Sequence, residues 1–223
     1  MISIALDGPA GAGKSTVAKG AAKELGYIYV DTGALYRTVG LKFMREGYDT
    51  KLNCDIEAML KTIEIDIKFI DGAQHVFLNG EDVSELIRTP KASLMASAVS
   101  AKPEVRAFLL EMQRRLAREN NVIMDGRDIG TVVLPDATVK IFLTASAEER
   151  ANRRYKELTE KGMEVNYDDV LADIEKRDYN DSHRAIAPLK PAEDSVMADT
   201  SKFTLEQSVE LILSIINERL DNK

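Results

Sequence analysis

Short runs of apolar residues alternate along the chain with longer stretches in which apolar residues recur every three or four positions. The short runs predict buried β-strands, and the periodic stretches predict amphipathic helices. The predicted core strands are 2–6, 28–30, 122–124, 140–143 and 196–198. Because strands alternate with helices, we expect an α/β fold with a parallel sheet of about five strands and helices on both faces.

Signals for helix ends divide the chain further. Gly26 and Gly47 are the predicted stops of the first two helices, the second of which runs from about 34 to 46. Ser146 and Thr204 each precede a Glu or Gln by three residues, which is the spacing of a capping box and predicts a helix start. Two more helices are predicted, one opening at Pro103 and one over 167–178.

Residues from about 50 to 100 interrupt this alternation of strands and helices. Apolar and polar residues alternate over 64–70, the pair Asp71-Gly72 is a turn signal, and a second strand is predicted over 74–78. This pattern is typical of a β-hairpin. We therefore expect an inserted lobe between two parts of the α/β core.

A glycine-rich segment lies between the first predicted strand and the first predicted helix. It matches G-x-x-x-x-G-K-[ST] in full and has the strand–loop–helix context that this phosphate-binding motif requires. Such loops turn backbone N–H groups toward an anion, which the positive end of the following helix also attracts. In the motif Lys14 reaches the β- and γ-phosphates and Ser15 binds Mg²⁺ through its hydroxyl. The residues expected to bind ATP here are Gly8, Pro9, Ala10, Gly11, Ala12, Gly13, Lys14, Ser15 and Thr16.

Composition and charge limit the other classes of partner. The net charge of −7, from 30 basic and 37 acidic residues among 223, disfavours nucleic acid or an anionic membrane. Cys54 is the single cysteine, and only His75 and His183 accompany it, which excludes an intrachain disulfide and a Cys/His zinc cluster. No apolar run approaches the ~18 residues of a membrane span, and the first residues lack a signal peptide's basic region. We expect a cytoplasmic protein.

The phosphate loop does not by itself identify the reaction. The Asn-Lys-x-Asp motif with which switch GTPases recognise guanine does not occur in the sequence. Arginines concentrate toward the C-terminal half, at Arg150, Arg153, Arg154, Arg177 and Arg184. They either neutralise charge on a transferred phosphoryl group or form a solvated face paired with neighbouring glutamates, and the residues alone leave both possibilities open.

Four longer segments resemble the bacterial-type cytidylate kinases (CMP/dCMP kinases), a branch of the nucleoside monophosphate kinase family. They are 6–15, Asp-Thr-Gly-Ala-Leu-Tyr-Arg at 31–37, Asp-Gly-Arg-Asp-Ile-Gly-Thr at 125–131, and Arg-Asp at 177–178 with Arg-Ala-Ile-Ala-Pro-Leu at 184–189. The resemblance covers essentially the whole chain. It implies a single P-loop kinase domain whose core is 1–48, 101–145 and 185–223, with an NMP-binding insert at about 49–100 and a lid at about 146–184.

The resemblance also implies roles for individual residues. Arg37 would hold the CMP phosphate, Arg127 would share that contact, and Asp125 would contact either the acceptor or water on Mg²⁺. Cytosine would be recognised by Ser97 and Arg106. The expected CMP-binding set is Thr32, Arg37, Ser97, Arg106, Asp125, Arg127, Arg177, Asp181 and Arg184. The family often has Ser where this chain has Thr32, and the hydroxyl is kept.

The lid completes the donor side of the implied site. Arg150, Arg153 and Arg154 would begin the lid over ATP, and the sequence does not distinguish which of them touches phosphate. The expected catalytic residues are Lys14, Arg127, Arg154 and Arg177. The segment 199–201 either approaches adenine through its backbone or forms a plain turn.

The activity that the resemblance implies is transfer of the γ-phosphoryl group of ATP to CMP or dCMP with Mg²⁺. The expected partners are these small nucleotides alone, and the protein is expected to be a monomer. A P-loop kinase for a non-nucleotide acceptor is one alternative, and a nucleotide-binding regulatory module is another. The insert and the motifs at 125–131 and 184–189 argue against the first, and the missing guanine motif argues against the second.

Overall fold

The computed structural model describes residues 1–221, which form a parallel sheet with helices on both faces and a smaller antiparallel sheet. In chain order the strands are β1 (Ser3–Asp7), β2 (Ile28–Asp31), β3 (Ile65–Ile70), β4 (Ala73–Leu78), β5 (Glu81–Asp82), β6 (Val122–Gly126), β7 (Val139–Thr144) and β8 (Val196–Asp199). The helices are α1 (Lys14–Leu25), α2 (Thr32–Arg45), α3 (Ile56–Leu60), α4 (Pro90–Ser100), α5 (Pro103–Glu119), α6 (Ala147–Glu160), α7 (Tyr167–His183) and α8 (Leu205–Asp221).

The main sheet has the order β2-β6-β1-β7-β8, and all of its neighbouring strands are parallel. These five strands are the five that the sequence predicts, so the α/β fold is confirmed. The strands are continuous apolar runs because both faces of the sheet are covered. Their register places Asp31 beside Asp125 and Asp7 beside Gly126, so the carboxyl ends of three strands meet at one edge.

Adjacent residues of β1 point to opposite faces of the sheet. Ile4 and Leu6 are fully buried against α1 and α8, in a cluster that includes Ile212. Ala5 lies on the other face with Met124, in a cluster completed by residues of α5. The apolar face of α8 that carries Ile212 and Ile216 therefore packs on the sheet.

Several element boundaries differ from the predictions. Helix α2 begins at Thr32 rather than near 34, because the Asp31 carboxylate caps it by accepting the Ala34 N–H at 2.9 Å. Helix α7 continues to His183, five residues beyond the predicted end at 178. The short elements α3 and β5 were not predicted, nor was a π-helix at Ile129–Val133.

The inserted segment contains the predicted hairpin. Its turn residues Asp71 and Gly72 both have positive φ, as a tight two-residue hairpin turn requires. The apolar side of the hairpin, including Val76, packs in one cluster with Leu35 and Phe43 of α2. The insert thus shares its core with α2 and α5 instead of enclosing a core of its own.

Helices α6 and α7 pack together around a small apolar cluster made of Ala151, Leu158, Val170 and Ile174. The two-residue segment 145–146 connects this helix pair to the carboxyl end of β7. Among residues 1–221, no helix combines the length and the apolar character that crossing a membrane would require.

Gly20 marks the tightest contact between α1 and α8. A Cβ built at Gly20 would lie 2.9 Å from Cγ2 of Val209, whose β-branched side chain has little freedom to move. We expect Gly20→Ala to lower the free energy of unfolding by about 1 kcal/mol, because overpacking outweighs the gain in helix propensity.

Urea denaturation measures this effect, and Val209→Ala provides the matched background. There the same Gly20→Ala change has room and should stabilise the protein through helix propensity. A stabilising effect in the presence of Val209 would contradict the packing described here.

Candidate functional site

The glycine-rich loop joins β1 to α1 and is shaped by close approach to β7. Gly8 has φ of +152°, and a Cβ there would lie 1.9 Å from the Leu143 carbonyl oxygen, so only glycine fits. Lys14 is buried, and its Nζ donates to the Pro9 carbonyl at 2.7 Å. Burial, and then the charge of Arg127, hold the pKa of Lys14 well below its usual value.

Asp125, at the end of β6, joins the loop to β2 and α2. Its carboxylate accepts hydrogen bonds from Ser15 Oγ at 2.8 Å and from the Tyr29 hydroxyl at 3.2 Å. Its backbone carbonyl accepts the Thr32 hydroxyl at 2.7 Å. Burial, reinforced by the charge of Asp31, raises the pKa of Asp125 to about 6. The Ser15 and Asp125 oxygens form the type of donor pair that Mg²⁺ binds beside substrate phosphates.

Four arginines from separate elements surround one region beside this carboxylate. Arg177 of α7 is mostly buried, and Arg127, Arg37 and Arg154 act on it as neighbouring positive charges. Burial and these charges lower the pKa of Arg177 to about 10, although Asp181 opposes the shift. Arg127 is held in place by donating its Nε to the Asp181 carboxylate at 2.8 Å.

This cluster has unused hydrogen-bond donors. In the part of the chain that the structure describes, the Nε atoms of Arg37 and Arg177 are buried without a partner. A buried donor that lacks an acceptor is costly, and several positive charges at close range repel one another. A polyanion placed among these guanidinium groups would accept the unused hydrogen bonds and offset the repulsion between the positive charges.

Arg37 is oriented by the residue that caps its own helix. Its Nη2 donates to Asp31 Oδ2 at 2.8 Å, while Asp31 Oδ1 accepts the Ala34 N–H. Gly33 leaves room for this arrangement, since a Cβ there would lie 3.0 Å from Arg37 Nη1. The orientation of Arg37 therefore depends on the Asp31 carboxylate, which the sequence reasoning did not include in the site.

A second charged cluster lies buried between α2, α5 and the end of α7. Arg106 and Arg184 both donate to the carboxylate of Asp128, which is itself only 4% exposed. Arg106 also donates to the Ser100 carbonyl at 3.2 Å and lies over the Tyr36 ring. Asp128 was missed at the sequence level, although it belongs to the Asp-Gly-Arg-Asp segment that carried the resemblance.

Asp7 is another buried carboxylate that the sequence reasoning left without a role. Its two oxygens accept the N–H groups of Ile129 and Gly130 at 2.8 and 2.7 Å, which anchors the π-helix directly after Asp128. Burial raises the pKa of Asp7 to about 6, despite these two bonds. The sequence signal that could have identified Asp7 was its position as a charged residue at the end of a buried strand, immediately before the phosphate loop.

Arg150 occupies a different environment from the one expected of a nucleotide contact. It is 4% exposed, and its guanidinium donates to the Ala145 and Ala10 carbonyls and, through two nitrogens, to the Asp178 carboxylate. Arg150 therefore connects the phosphate loop to α6 and α7, the two helices of the predicted lid. Its contact with ATP stays a prediction.

The other lid arginines lie closer to solvent. Arg153 donates to Glu149, to the Thr200 carbonyl at 2.8 Å and to the Ala12 carbonyl at 3.5 Å. Arg154 pairs with Glu157 at 2.7 Å, and its positive charge contributes to lowering the pKa of Arg177.

Two further predicted positions occupy the periphery of these clusters. Ser97 lies on α4, and its carbonyl accepts the hydroxyl of Ser100, the residue that contacts Arg106. Asp199 accepts both the N–H and the hydroxyl of Ser201, which makes 199–201 a side-chain-stabilised turn. The proposed contact of this turn with adenine stays a prediction.

Known proteins of one family are similar to this chain over nearly its whole length. The model of the cytidylate kinase family matches residues 4–218. A cytidylate kinase from Caldicellulosiruptor bescii is 50% identical over 222 residues, covering 100% of this chain and 98% of that protein. One from Caldanaerobacter subterraneus is 52% identical over 220 residues, covering 97% and 95%.

Solved structures with little sequence similarity share the fold. A gluconokinase from Sinorhizobium meliloti aligns with a TM-score of 0.52 at 16% identity, covering 99% of this chain and 94% of that one. An uncharacterized protein from Eubacterium ventriosum aligns with a TM-score of 0.54 at 12% identity, covering 97% and 99%.

The two buried carboxyl groups predict a pH dependence of stability. Asp7 and Asp125 keep a proton in the folded state up to about pH 6, whereas the unfolded chain loses it near 3.8. The folded state binds more protons in this window, so these groups make the free energy of unfolding fall as pH rises through it.

Urea denaturation at several pH values between about 4 and 7 tests this expectation through Asp7→Asn. The variant should lose part of the decline with pH, because Asn does not titrate, whatever its constant cost in stability. Nearby Asp128 and Lys14 remain in both proteins. Identical pH slopes for the variant and the parent would contradict the raised pKa.

Proposed function

The chain belongs to the cytidylate kinase family, and we propose that it transfers the γ-phosphoryl group of ATP to CMP or dCMP, forming ADP and CDP or dCDP. The observation that carries this proposal is the convergence of Arg37, Arg127, Arg154 and Arg177 beside the phosphate loop. Two phosphorylated substrates repel each other, and such a cluster offsets that repulsion where they must meet.

The reaction needs positioning and positive charge more than proton transfer. An oxygen of the CMP phosphate attacks the γ-phosphorus in line, the bond to the β-phosphate oxygen breaks, and ADP leaves. The attacking phosphate is already an anion, so it requires no general base. Lys14 would contact the β- and γ-phosphates, while Arg127, Arg154 and Arg177 stabilise charge on the transferred group.

The donor side of the site supports binding of a Mg²⁺–ATP complex. Backbone N–H groups of the loop from Gly8 to Thr16 would hold the phosphates. Ser15 and Asp125 are the residues that would hold Mg²⁺, which typically keeps several waters and takes only one or two protein ligands besides phosphates. When bound, Mg²⁺ neutralises charge on the phosphate oxygens.

The acceptor side divides into a phosphate end and a base end. We assign the CMP phosphate to Arg37 and Arg127 and the sugar to Asp181, which Arg127 already contacts. Arg106 and Arg184 can donate to the N3 and O2 acceptors of cytosine. The carboxylate of Asp128 lies between them and can accept from the exocyclic amino group, a pairing that carboxylates make with cytosine elsewhere.

The wider organisation follows from these assignments. The insert at about 49–100 would close on CMP, and the lid at about 146–184 would close over ATP, which keeps water from the γ-phosphate. We propose that the protein acts as a monomer in the cytoplasm on nucleotides alone, without nucleic acid or membrane partners. The net charge of −7 outside a local arginine cluster supports small anionic substrates over extended polyanions.

ADP formation with a panel of CMP, dCMP, UMP, AMP and GMP tests the activity. CMP and dCMP should be phosphorylated with kcat/KM about tenfold or more above UMP, because UMP has a carbonyl oxygen in place of the amino group and presents this acceptor to the Asp128 carboxylate. No stimulation by any monophosphate would refute the kinase reaction. Equal rates with UMP and CMP would refute the assigned base recognition.

Replacing Arg37 tests the division between donor and acceptor. Arg37→Ala should raise KM for CMP roughly 10- to 100-fold, the effect of losing a charge-assisted contact, with ATP binding nearly unchanged. Lys42→Ala is the matched control, since Lys42 lies on the same helix and its ammonium group pairs with Glu46. A loss of ATP affinity in Arg37→Ala, measured by calorimetry, would contradict the acceptor assignment.

A further inference from the structure

Gln74 joins the inserted hairpin to the beginning of the acceptor site. It lies on β4 directly after the hairpin turn, and its side-chain amide contacts the backbone of Asp31, 43 residues earlier. Gln74 Oε1 accepts the Asp31 N–H at 2.8 Å, and Gln74 Nε2 donates to the Asp31 carbonyl at 3.2 Å. One side chain therefore binds both polar groups of a single peptide residue.

The position of Asp31 explains why this contact is available. β2 is an edge strand of the main sheet, and within residues 1–221 it pairs only with β6, so one side of its backbone has no neighbouring strand there. The N–H and C=O groups of one strand residue point to the same side. The Gln74 amide supplies the acceptor and the donor that an additional strand would have supplied at this point.

Asp31 is also the residue on which Arg37 depends. One of its carboxylate oxygens caps α2, and the other accepts from Arg37 Nη2. Gln74 fixes the backbone from which that carboxylate projects. The chain of contacts thus runs from the insert through Asp31 to the guanidinium group assigned to the CMP phosphate.

The hairpin end that carries Gln74 is seated on the core by packing as well. Phe69 is the cross-strand partner of Gln74 and is partly buried against the cluster that contains Val30 of β2. A separate contact, the bidentate pair between Arg45 and Glu81, joins α2 to β5 at 2.6 and 2.9 Å in an exposed place. Beside the shared apolar core, the insert thus has these two polar attachments, and the Gln74 amide is the one that contacts Asp31.

We propose that Gln74 is a positioning residue for phosphorylation of CMP. It holds Asp31 so that Arg37 is presented to the acceptor phosphate, and it makes the affinity for CMP depend on how the inserted hairpin sits against β2. This inference rests on the proposed function through the assignment of Arg37 to the acceptor.

The experiment compares steady-state kinetics of Gln74→Met with those of Glu81→Gln. Met has a similar length and makes neither hydrogen bond, whereas Glu81→Gln weakens the separate Arg45–Glu81 pair and leaves Asp31 untouched. We expect kcat/KM for CMP to fall about 3- to 10-fold in Gln74→Met, with KM for ATP within about twofold. Glu81→Gln should leave both parameters near those of the parent.

A double-mutant cycle with Arg37→Ala identifies the route of the effect. If Gln74 acts through Arg37, Gln74→Met has no further effect on kcat/KM for CMP in the Arg37→Ala background. Fully multiplicative losses would overturn the proposal. So would an unchanged kcat/KM in Gln74→Met, or an equal loss in Glu81→Gln.

Gly33→Ala provides a second test that leaves the hairpin intact. Its Cβ would lie 3.0 Å from Arg37 Nη1 and 3.1 Å from Asp31 Oδ1, so it disturbs the same pair from the other side. It should reproduce the selective loss for CMP even if Gln74→Met folds poorly in thermal denaturation. An unchanged KM for CMP in Gly33→Ala would count against the Asp31–Arg37 link.

The kinetics of these variants distinguish a failure of the Gln74 proposal from a failure of the assignment of Arg37 to the CMP phosphate. If Arg37→Ala alone leaves KM for CMP unchanged, the acceptor assignment fails, and the role of Gln74 fails with it. If Arg37→Ala raises KM for CMP while Gln74→Met and Gly33→Ala do not, only the positioning role is refuted.

Discussion

The structure depends on burying charge at the carboxyl ends of the central strands. Asp7, Asp125 and Lys14 are all nearly inaccessible to water, and a buried charge is tolerated only with hydrogen bonds or an opposite charge. Each carboxylate here meets that requirement by binding a different part of the site. Asp7 holds the π-helix, and Asp125 holds Ser15 and Tyr29. The hydrogen bonds that these buried carboxylates accept are thus what brings the separate segments of the site together.

The acidic partners do not neutralise all of the arginines. Asp181 accepts a hydrogen bond from Arg127, and Asp31 accepts one from Arg37. Arg177 retains a buried Nε without a partner among the described residues. Among the described residues Arg177 therefore keeps an unused donor and forms no ion pair, in a protein whose net charge is −7. Substrate binding can then relieve repulsion that the folded chain maintains, which favours a bound polyanion over an empty site.

Local signals in the sequence were sufficient for the strands of the main sheet, the phosphate loop and the hairpin. Apolar runs define β1, β6 and β7 because both sheet faces are covered, and the loop motif needs only its immediate neighbours. Helix α7 was predicted too short because its last residues are polar and have no apolar stripe. The roles of Asp7 and Asp128 depend on burial by segments more than 20 residues away, which no local pattern reports. Arg150 shows the same limit, since its clustering with Arg153 and Arg154 does not reveal that it alone is buried.

The parallel arrangement of the sheet has a consequence for how the protein is made. β1 pairs with β6 and β7, so Asp7 meets Ile129 and Gly130 across 122 and 123 residues of chain. During synthesis from the N-terminus, the phosphate loop emerges early but has no strands on which to form until more than half of the chain has followed. Contacts between such distant segments slow folding and leave apolar strands exposed meanwhile. The nucleotide site is therefore among the last features of the nascent chain to become complete, although its most recognisable motif lies within the first fifteen residues.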